Sequence, residues 1–331
     1  MPQTDAFQGP LFIVGSPRSG TKLLRELLNR NPGINLCNPE SHFIPYLYRS
    51  FGTDPGVFSV DLDRFFAAFD RMPFQIFSRR MGKPVMGRAE FEALRDARSW
   101  AEAFEMILRH YGEPGASATA IWGDKTPSYV LDLPLLAEIF PAARVIHIIR
   151  DPRDVAVSAR NAWRHNLLRS ANKWARNVSI GRRDSACFDG RFMEIFYEDL
   201  LRHPKAELQR ACTFLDVAYA SEMTSLIRPS ENIGRAAGKR YIDPANLGRF
   251  RERLNAQEQR RIEEIVFDAA QGTPYRPEYA TRHLPLTPLR LGMCAALDGG
   301  RSAVRYVRKK GLLDGIGINI GNRLQKRRKL P

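Results

Sequence analysis

The order of apolar and polar positions near the start of the chain predicts one supersecondary unit. Leu11 to Val14 is a short apolar run, Gly15 to Gly20 is rich in Gly, Ser and Pro, and Leu23, Leu24, Leu27 and Leu28 then fall on one helical stripe. That sequence of patterns reads as strand, glycine loop, helix. Asn31-Pro32-Gly33 is a stop and turn signal, and Ile34 to Cys37 reads as a second strand leading into the polar loop Asn38–His42. Residues 43–87 are crowded with aromatics broken by Gly and Pro, which suggests short helices and loops. Two readings of that stretch stand side by side, the lining of an acceptor pocket and plain core filling. Ser99 to Tyr111 reads as an amphipathic helix capped by Ser99.

Further on, Ala120 to Gly123 is a short apolar segment that delivers Asp124-Lys125-Thr126-Pro127, followed by a helical region to Ile139 interrupted at Pro134. Arg144 to Ile149, RVIHII, is the clearest β-run, and its continuous apolar character suits a buried parallel strand. Asp151 can cap and Pro152 can open the next helix. Phe192 to Tyr197 is a further strand; Pro204–Leu215 and Asn255–Ala270 read as helices. Strands alternating with helices predict an α/β fold with a mainly parallel sheet. Ligands of such sheets sit at the carboxyl ends of the strands, so the loops after Val14 and Ile149 and around Lys125 should share one face.

Composition changes the picture in one place. The formal net charge is +15, yet residues 301–331 carry ten Lys/Arg against Asp314 alone, which leaves only +6 for the first 300 residues. The body is expected to be residues 1–283 and the rest, 284–331, a basic tail with apolar stretches, suited to an anionic membrane surface or an acidic partner. A solvated tail is the plainer reading, and nucleic acid is not expected as a partner. None of Cys37, Cys187, Cys212 and Cys294 has C-x-x-C spacing, so neither a structural zinc site nor a disulfide framework is expected. With no basic, apolar leader at the N-terminus and no window of membrane-span length, the sequence points to a cytoplasmic protein, peripheral at the membrane if the tail docks.

The chemistry concentrates in the glycine loop. Backbone N–H groups of such a nest, with a helix N-terminus behind them, bind phosphate, and Arg18 and Lys22 add full charges. Gly15 and Gly20 have the spacing of a nucleotide-triphosphatase loop, but Thr21-Lys22 stands in reversed order. That reversal disfavours an ATP-dependent phosphotransferase, which needs Lys directly after the second Gly and a hydroxyl for magnesium next. Gly15-Ser16-Pro17-Arg18-Ser19-Gly20-Thr21-Lys22 instead resembles the 5′-phosphosulfate loop of sulfotransferases that use 3′-phosphoadenosine 5′-phosphosulfate (PAPS). Arg144 to Ser158 resembles the 3′-phosphate segment of that family, and Gly123–Pro127 and Tyr197–Leu200 match its patterns in order. The resemblance covers residues 10–255 and lies nearer the tyrosylprotein and bacterial branch than the small-phenol branch.

The resemblance implies a three-layer P-loop-type fold and sulfuryl transfer from PAPS to a hydroxyl or amine, with no metal. It implies donor contacts from Arg18, Ser19, Gly20, Thr21, Lys22, Arg150, Ser158, Tyr197 and Lys239. Arg18, Lys22 and Lys125 would be the candidates to stabilise charge on the leaving phosphate, and Glu40 would act as general base with His42 as the alternative. Taken alone, Glu40 reads as a solvated loop carboxylate, Lys125 as a surface lysine, and Arg153-Asp154 as a local ion pair. Lys22 departs from the family's usual Ser/Thr, and Ala162 stands where the tyrosylprotein branch has an Arg, with Arg160 nearby. The acceptor stays open among a peptide tyrosine, a glycolipid and a small alcohol.

Overall fold

The protein is described from a computed structural model covering residues 7–80, 82–83, 85–229 and 238–310, with the backbone alone for 301–310. Five strands form one sheet in the order β2-β3-β1-β4-β5, every neighbouring pair parallel. They are β1 (Leu11–Gly15), β2 (Ile34–Cys37), β3 (Ile121–Lys125), β4 (Arg144–Ile149) and β5 (Phe192–Phe196). Every residue of β1 and β3 is buried, which is what a parallel sheet covered on both faces requires. The α/β reading of the sequence therefore holds. Chain order reverses at β1: β2 and β3 lie to one side and β4 and β5 to the other. The carboxyl ends on either side of that reversal frame the crevice where such folds bind ligands.

Two compact units divide the chain. The first comprises Met1–Arg150, Asn177–Asn232 and Ala236–Ala245 and holds the sheet. Its first helix, α1 (Thr21–Leu28), buries the expected leucine stripe but also Arg25 and Glu26. Much of the aromatic stretch is core, although Tyr46 and Phe77 are exposed. Phe43, Phe58, Phe65, Phe69 and Phe74 are buried and meet edge to face, as in Phe43–Phe69 at 5.3 Å and 84° and Phe58–Phe65 at 5.2 Å and 86°. Such pairs add about 0.5–1.5 kcal/mol each beyond burial. Helix α2 (Trp100–His110) is capped as expected, Ser99 Oγ accepting from Glu102 N–H at 3.1 Å. Pro134 does not interrupt a helix; it lies in the first turn of Leu133–Ile139, where its missing N–H costs nothing, after a separate 3-10 turn at Pro127–Leu131.

The second unit comprises Asp151–Arg176, Ile233–Arg235 and Asn246–Pro331. It opens with α3 (Pro152–Trp163), where Asp151 accepts from Arg153 N–H at 2.9 Å. Arg153 and Asp154 do not pair with each other. Arg153 reaches Asp151 at 2.7 Å and Glu263 at 2.9 Å, while Asp154 accepts from Gly248 N–H and Phe250 N–H, both at 2.9 Å. Glu263 stands on α5 (Ala256–Val266), the shorter observed form of the Asn255–Ala270 helix. The helix that follows α3, α4 (Leu167–Asp184), was not read from the sequence because charges surround its apolar ladder of Leu167, Ala171, Trp174 and Val178. The last described element is α6 (Pro288–Lys310). It lies within the segment expected as a tail, yet its Asp298 is buried and accepts from Asn166 N–H and from Arg169 Nη1, each at 2.8 Å. Residues 311–331 lie outside the described residues.

Candidate active site

The parallel register brings five connections to one edge of the sheet. Ile13 pairs with Lys125, Cys37 with Asp124, Gly15 with Ile148, and Ile149 with Phe196. The glycine loop leaves β1 there. Ser19 N–H donates to Ser16 O at 3.1 Å to close the turn, and Leu24 N–H donates to Gly20 O at 3.0 Å to begin α1. Gly20 has φ 94°, and a Cβ on it would stand 2.3 Å from Tyr197 Cδ2. Both the left-handed backbone and the approach of the ring demand glycine. The first amides of α1 have no helical acceptor and sit at the positive end of the helix. Beside them Ser19 Oγ is fully buried and lacks a hydrogen-bond partner, as does Asn177 Oδ1, whose own Nδ2 donates to Gly15 O at 3.5 Å. The Ser19 hydroxyl is a donor that fits an oxygen of a bound anion, whereas Asn177 Oδ1 can only accept.

Arg150 follows β4 and is 5% exposed. Its guanidinium carbon lies 4.4 Å over the Tyr197 ring, and Nη1 donates to Arg18 O at 3.4 Å. Arg150 thus ties together the connections after β1, β4 and β5. Arg18 itself has φ 76°. Among the described residues four non-glycines have positive φ; Arg164 and Asp216 end helices, whereas Arg18 and His42 stand in the candidate site. Backbone held in this way gathers where side chains must be aimed.

At the end of β3, Lys125 is 3% exposed and its Nζ contacts Glu40 Oε1. Glu40 Oε2 meets His42 Nε2 at 3.0 Å, and His42 Nδ1 lies 3.3 Å from Ser128 Oγ. Burial works to raise the Glu40 pKa, but the His42 hydrogen bond and the charge and hydrogen bond of Lys125 prevail and hold it at about 2. Burial also lowers the Lys125 pKa; Glu40 opposes that shift and the nearby Arg25 charge adds to it. The geometry rests on Asp124, which is fully buried. It accepts from Ser41 N–H at 3.3 Å and Ser41 Oγ at 2.9 Å, and Ser41 Oγ lies 2.6 Å from Tyr129 OH. Thr126 Oγ1 takes the same Ser41 N–H at 3.1 Å.

A sequence model of the sulfotransferase family matches residues 10–221, well over half of the chain. The chain belongs to the sulfotransferase family. Protein-tyrosine sulfotransferase 1 of Danio rerio is 24% identical over 69% of this chain and 58% of its own length. A putative protein-tyrosine sulfotransferase of Caenorhabditis briggsae is 27% identical over 66% of this chain and 69% of its own. Most of the first such relatives are therefore matched over little more than half their length or less. Among solved structures, the sulfotransferase domain of the Synechococcus PCC 7002 olefin synthase shares the fold, with TM-score 0.51 and 23% identity over 83% of this chain and 98% of that one. Membership of the sulfotransferase family disfavours the phosphotransferase alternative.

Within this sulfotransferase frame, Arg18, Ser19, Gly20, Thr21, Lys22, Lys125, Glu40, Arg150 and Tyr197 all belong to the connections at the carboxyl edge of the sheet. Ser158 stands half-buried on α3 of the second unit. Lys239 pairs with Asp243 and lies 5.5 Å from the Tyr241 ring, a local arrangement within its loop. Arg160 is engaged by Glu258 at 3.2 Å and Arg253 O at 2.7 Å. Sequence reasoning passed over Asp124 as a positioning carboxylate, and also Ser41, Tyr129 and Arg25. Arg25 contacts Glu26, which also pairs with Arg228 at 3.0 Å. The only signal was polarity at positions where the strand and helix patterns called for apolar residues. Among the described residues no cluster of His, Cys, Asp or Glu is placed to hold a metal ion.

Proposed function

We propose that this chain transfers a sulfuryl group from PAPS to an acceptor hydroxyl, with a peptide tyrosine as the first acceptor class to test. The observation that carries the reading is the direct contact of Glu40 with Lys125, one strand away from the glycine loop. The relatives' names supply the acceptor class. The donor supplies the sulfuryl group and leaves as a bisphosphate. The first amides of α1, Ser19 Oγ, Arg18 and Lys22 would hold its 5′ end, and Arg150 would hold its 3′-phosphate. The chain's own part is positioning and charge stabilisation.

Lys125 and Arg18 supply cations for the negative charge that grows on the leaving phosphate. Glu40 takes the proton of the acceptor hydroxyl. A carboxylate at about 2 is a weak base, so the contact with Lys125 has to loosen before Glu40 can act. Lys125 drawn toward the anionic donor does that: the cation is used where charge develops, and Glu40 rises toward the ordinary carboxylate range. The test is Glu40→Ala. The variant should keep its thermal stabilisation by 3′-phosphoadenosine 5′-phosphate and lose transfer of labelled sulfate from PAPS to a tyrosine peptide. Stabilisation of the wild type by ATP–Mg alone would overturn the assignment.

A further inference from the structure

The second unit ends in a helix with two unlike faces. On one side of α6, Cys294 and Asp298 are buried, and Asp298 fixes the helix through Asn166 N–H and Arg169. On the other side Leu289, Met293 and Leu297 recur every fourth residue and are 76%, 59% and 54% exposed. They are among the large apolar side chains exposed in the described residues, and they form one continuous stripe. Scattered apolar residues need no explanation, but an aligned exposed ladder on a docked helix does. The charge of the same helix says what covers it. Arg290, Arg301, Arg305, Arg308, Lys309 and Lys310 are opposed by Asp298 alone, and that carboxylate is already paired with Arg169. Five more Lys/Arg follow in residues 311–331.

We propose that α6 lies in the surface of an anionic lipid bilayer, with Leu289, Met293 and Leu297 among the acyl chains, and that the positive charge of this part of the chain selects acidic headgroups. A second copy of this chain is the poorer occupant, because two such helices would bring like charge against like. An acidic protein would satisfy the charge but leaves the apolar ladder without a stated partner. A bilayer supplies both layers at once. The helix is too polar to cross a membrane: among the described residues no helix is long and apolar enough to do so. The surface concerns α6 of the second unit and is independent of the proposed chemistry.

The test is sedimentation of the full chain with phosphatidylcholine vesicles, with and without phosphatidylserine. Partition onto the serine-containing vesicles should exceed that onto neutral ones by more than about tenfold and should fall as salt shortens the screening length. Met293→Glu combined with Leu297→Glu should reduce partition by roughly tenfold or more with an unchanged melting temperature, since both side chains are exposed. Met293→Leu combined with Leu297→Met should retain it. Equal partition onto both vesicle types overturns the proposal, as does full partition by the double glutamate variant. No partition at all also overturns it, whether the wild type is then a monomer or a dimer that the double glutamate variant dissolves.

Discussion

Replacing Lys125 by Met tests how the resting site holds its base. Glu40 stands at about 2 against an ordinary 4.5, and two of the influences that lower it are the charge and the hydrogen bond of Lys125. Taken at face value that drop is worth about 3 kcal/mol at 1.36 kcal/mol per unit. Glu40 is 36% exposed, so solvent screening reduces the figure to about 1–2 kcal/mol. Removing Lys125 leaves His42 and the opposing burial, and the Glu40 pKa should climb by at least about one unit. The sign follows from linkage. A depressed carboxylate adds stability above its unfolded value near 4.5, and that stability is lost as pH falls toward about 2. At neutral pH Lys125→Met gives up part of that gain, but it also spares the cost of burying an ammonium that is 3% exposed. The melting temperature should therefore change little, while kcat falls by about a hundredfold to a thousandfold with the lost cation. The assay is the pH dependence of kcat/KM for transfer to a tyrosine peptide. Wild type should show no acid limb from Glu40 between about pH 4 and 8, and Lys125→Met should acquire one at the bottom of that range. A wild-type acid limb near pH 6 would refute this account, and so would unchanged kcat in Lys125→Met.

Gly20→Ala combines positive φ with a Cβ 2.3 Å from the Tyr197 ring. It should cost about 2–4 kcal/mol and abolish stabilisation by 3′-phosphoadenosine 5′-phosphate in a thermal shift assay. Asp124→Ala leaves Ser41 N–H with Thr126 Oγ1 alone and Ser41 Oγ with Tyr129 OH alone and should lower stability by about 1–3 kcal/mol, whereas Asp124→Asn keeps one acceptor for the N–H and turns the other oxygen into a donor that the hydroxyl can accept, and should cost less than that by urea unfolding. Ser19→Ala removes a buried hydroxyl that has no protein partner, so stability should hold or rise while affinity for the bisphosphate falls several-fold, measurable by calorimetry.

The elements legible in the sequence were those whose pattern has a single physical reading. RVIHII could be little other than a buried parallel strand, and the leucine stripe after Gly20 could be little other than a helix. Glu40, Lys125 and Arg150 were named on the resemblance to the sulfotransferase family, and parallel pairing places all three at the same edge of the sheet. Buried polar groups were not legible. Nothing in IWGDK distinguishes the buried Asp124 from a solvated one, because its burial depends on Ser41 and Tyr129 arriving from elsewhere in the chain. Arg153-Asp154 looked like a neighbouring ion pair, yet adjacent residues of a helix do not face each other, and each found its partner in 246–280. The expected tail was misleading for the same reason. Its basic composition is visible in sequence, but the contact of Asp298 with Asn166 and Arg169 is not.

The division of labour between Asp124 and Glu40 explains why a site of this kind needs two carboxylates. Asp124 is followed by Lys125 and Ser41 is preceded by Glu40, and the contacts run 124 to 41 and 125 to 40. The loop after β2 is therefore folded back across the end of β3 in fixed register. Asp124 cannot serve as the base, because it is fully buried and its oxygens are committed to Ser41. Burial pushes its pKa upward, and the Thr126 and Ser41 hydrogen bonds and Lys125 work against that shift. Glu40 cannot hold the loop, because it is more exposed and its partners are the titratable His42 and Lys125. The inner carboxylate sets where the outer one stands, and the outer one stays mobile enough in charge to change partners. A site with Asp124 intact but Glu40 lost should bind donor and not transfer. A site with Asp124→Ala should lose transfer by misplacing Glu40, and the loss should be partly recovered in Asp124→Asn, which restores the hydrogen bonds without the charge.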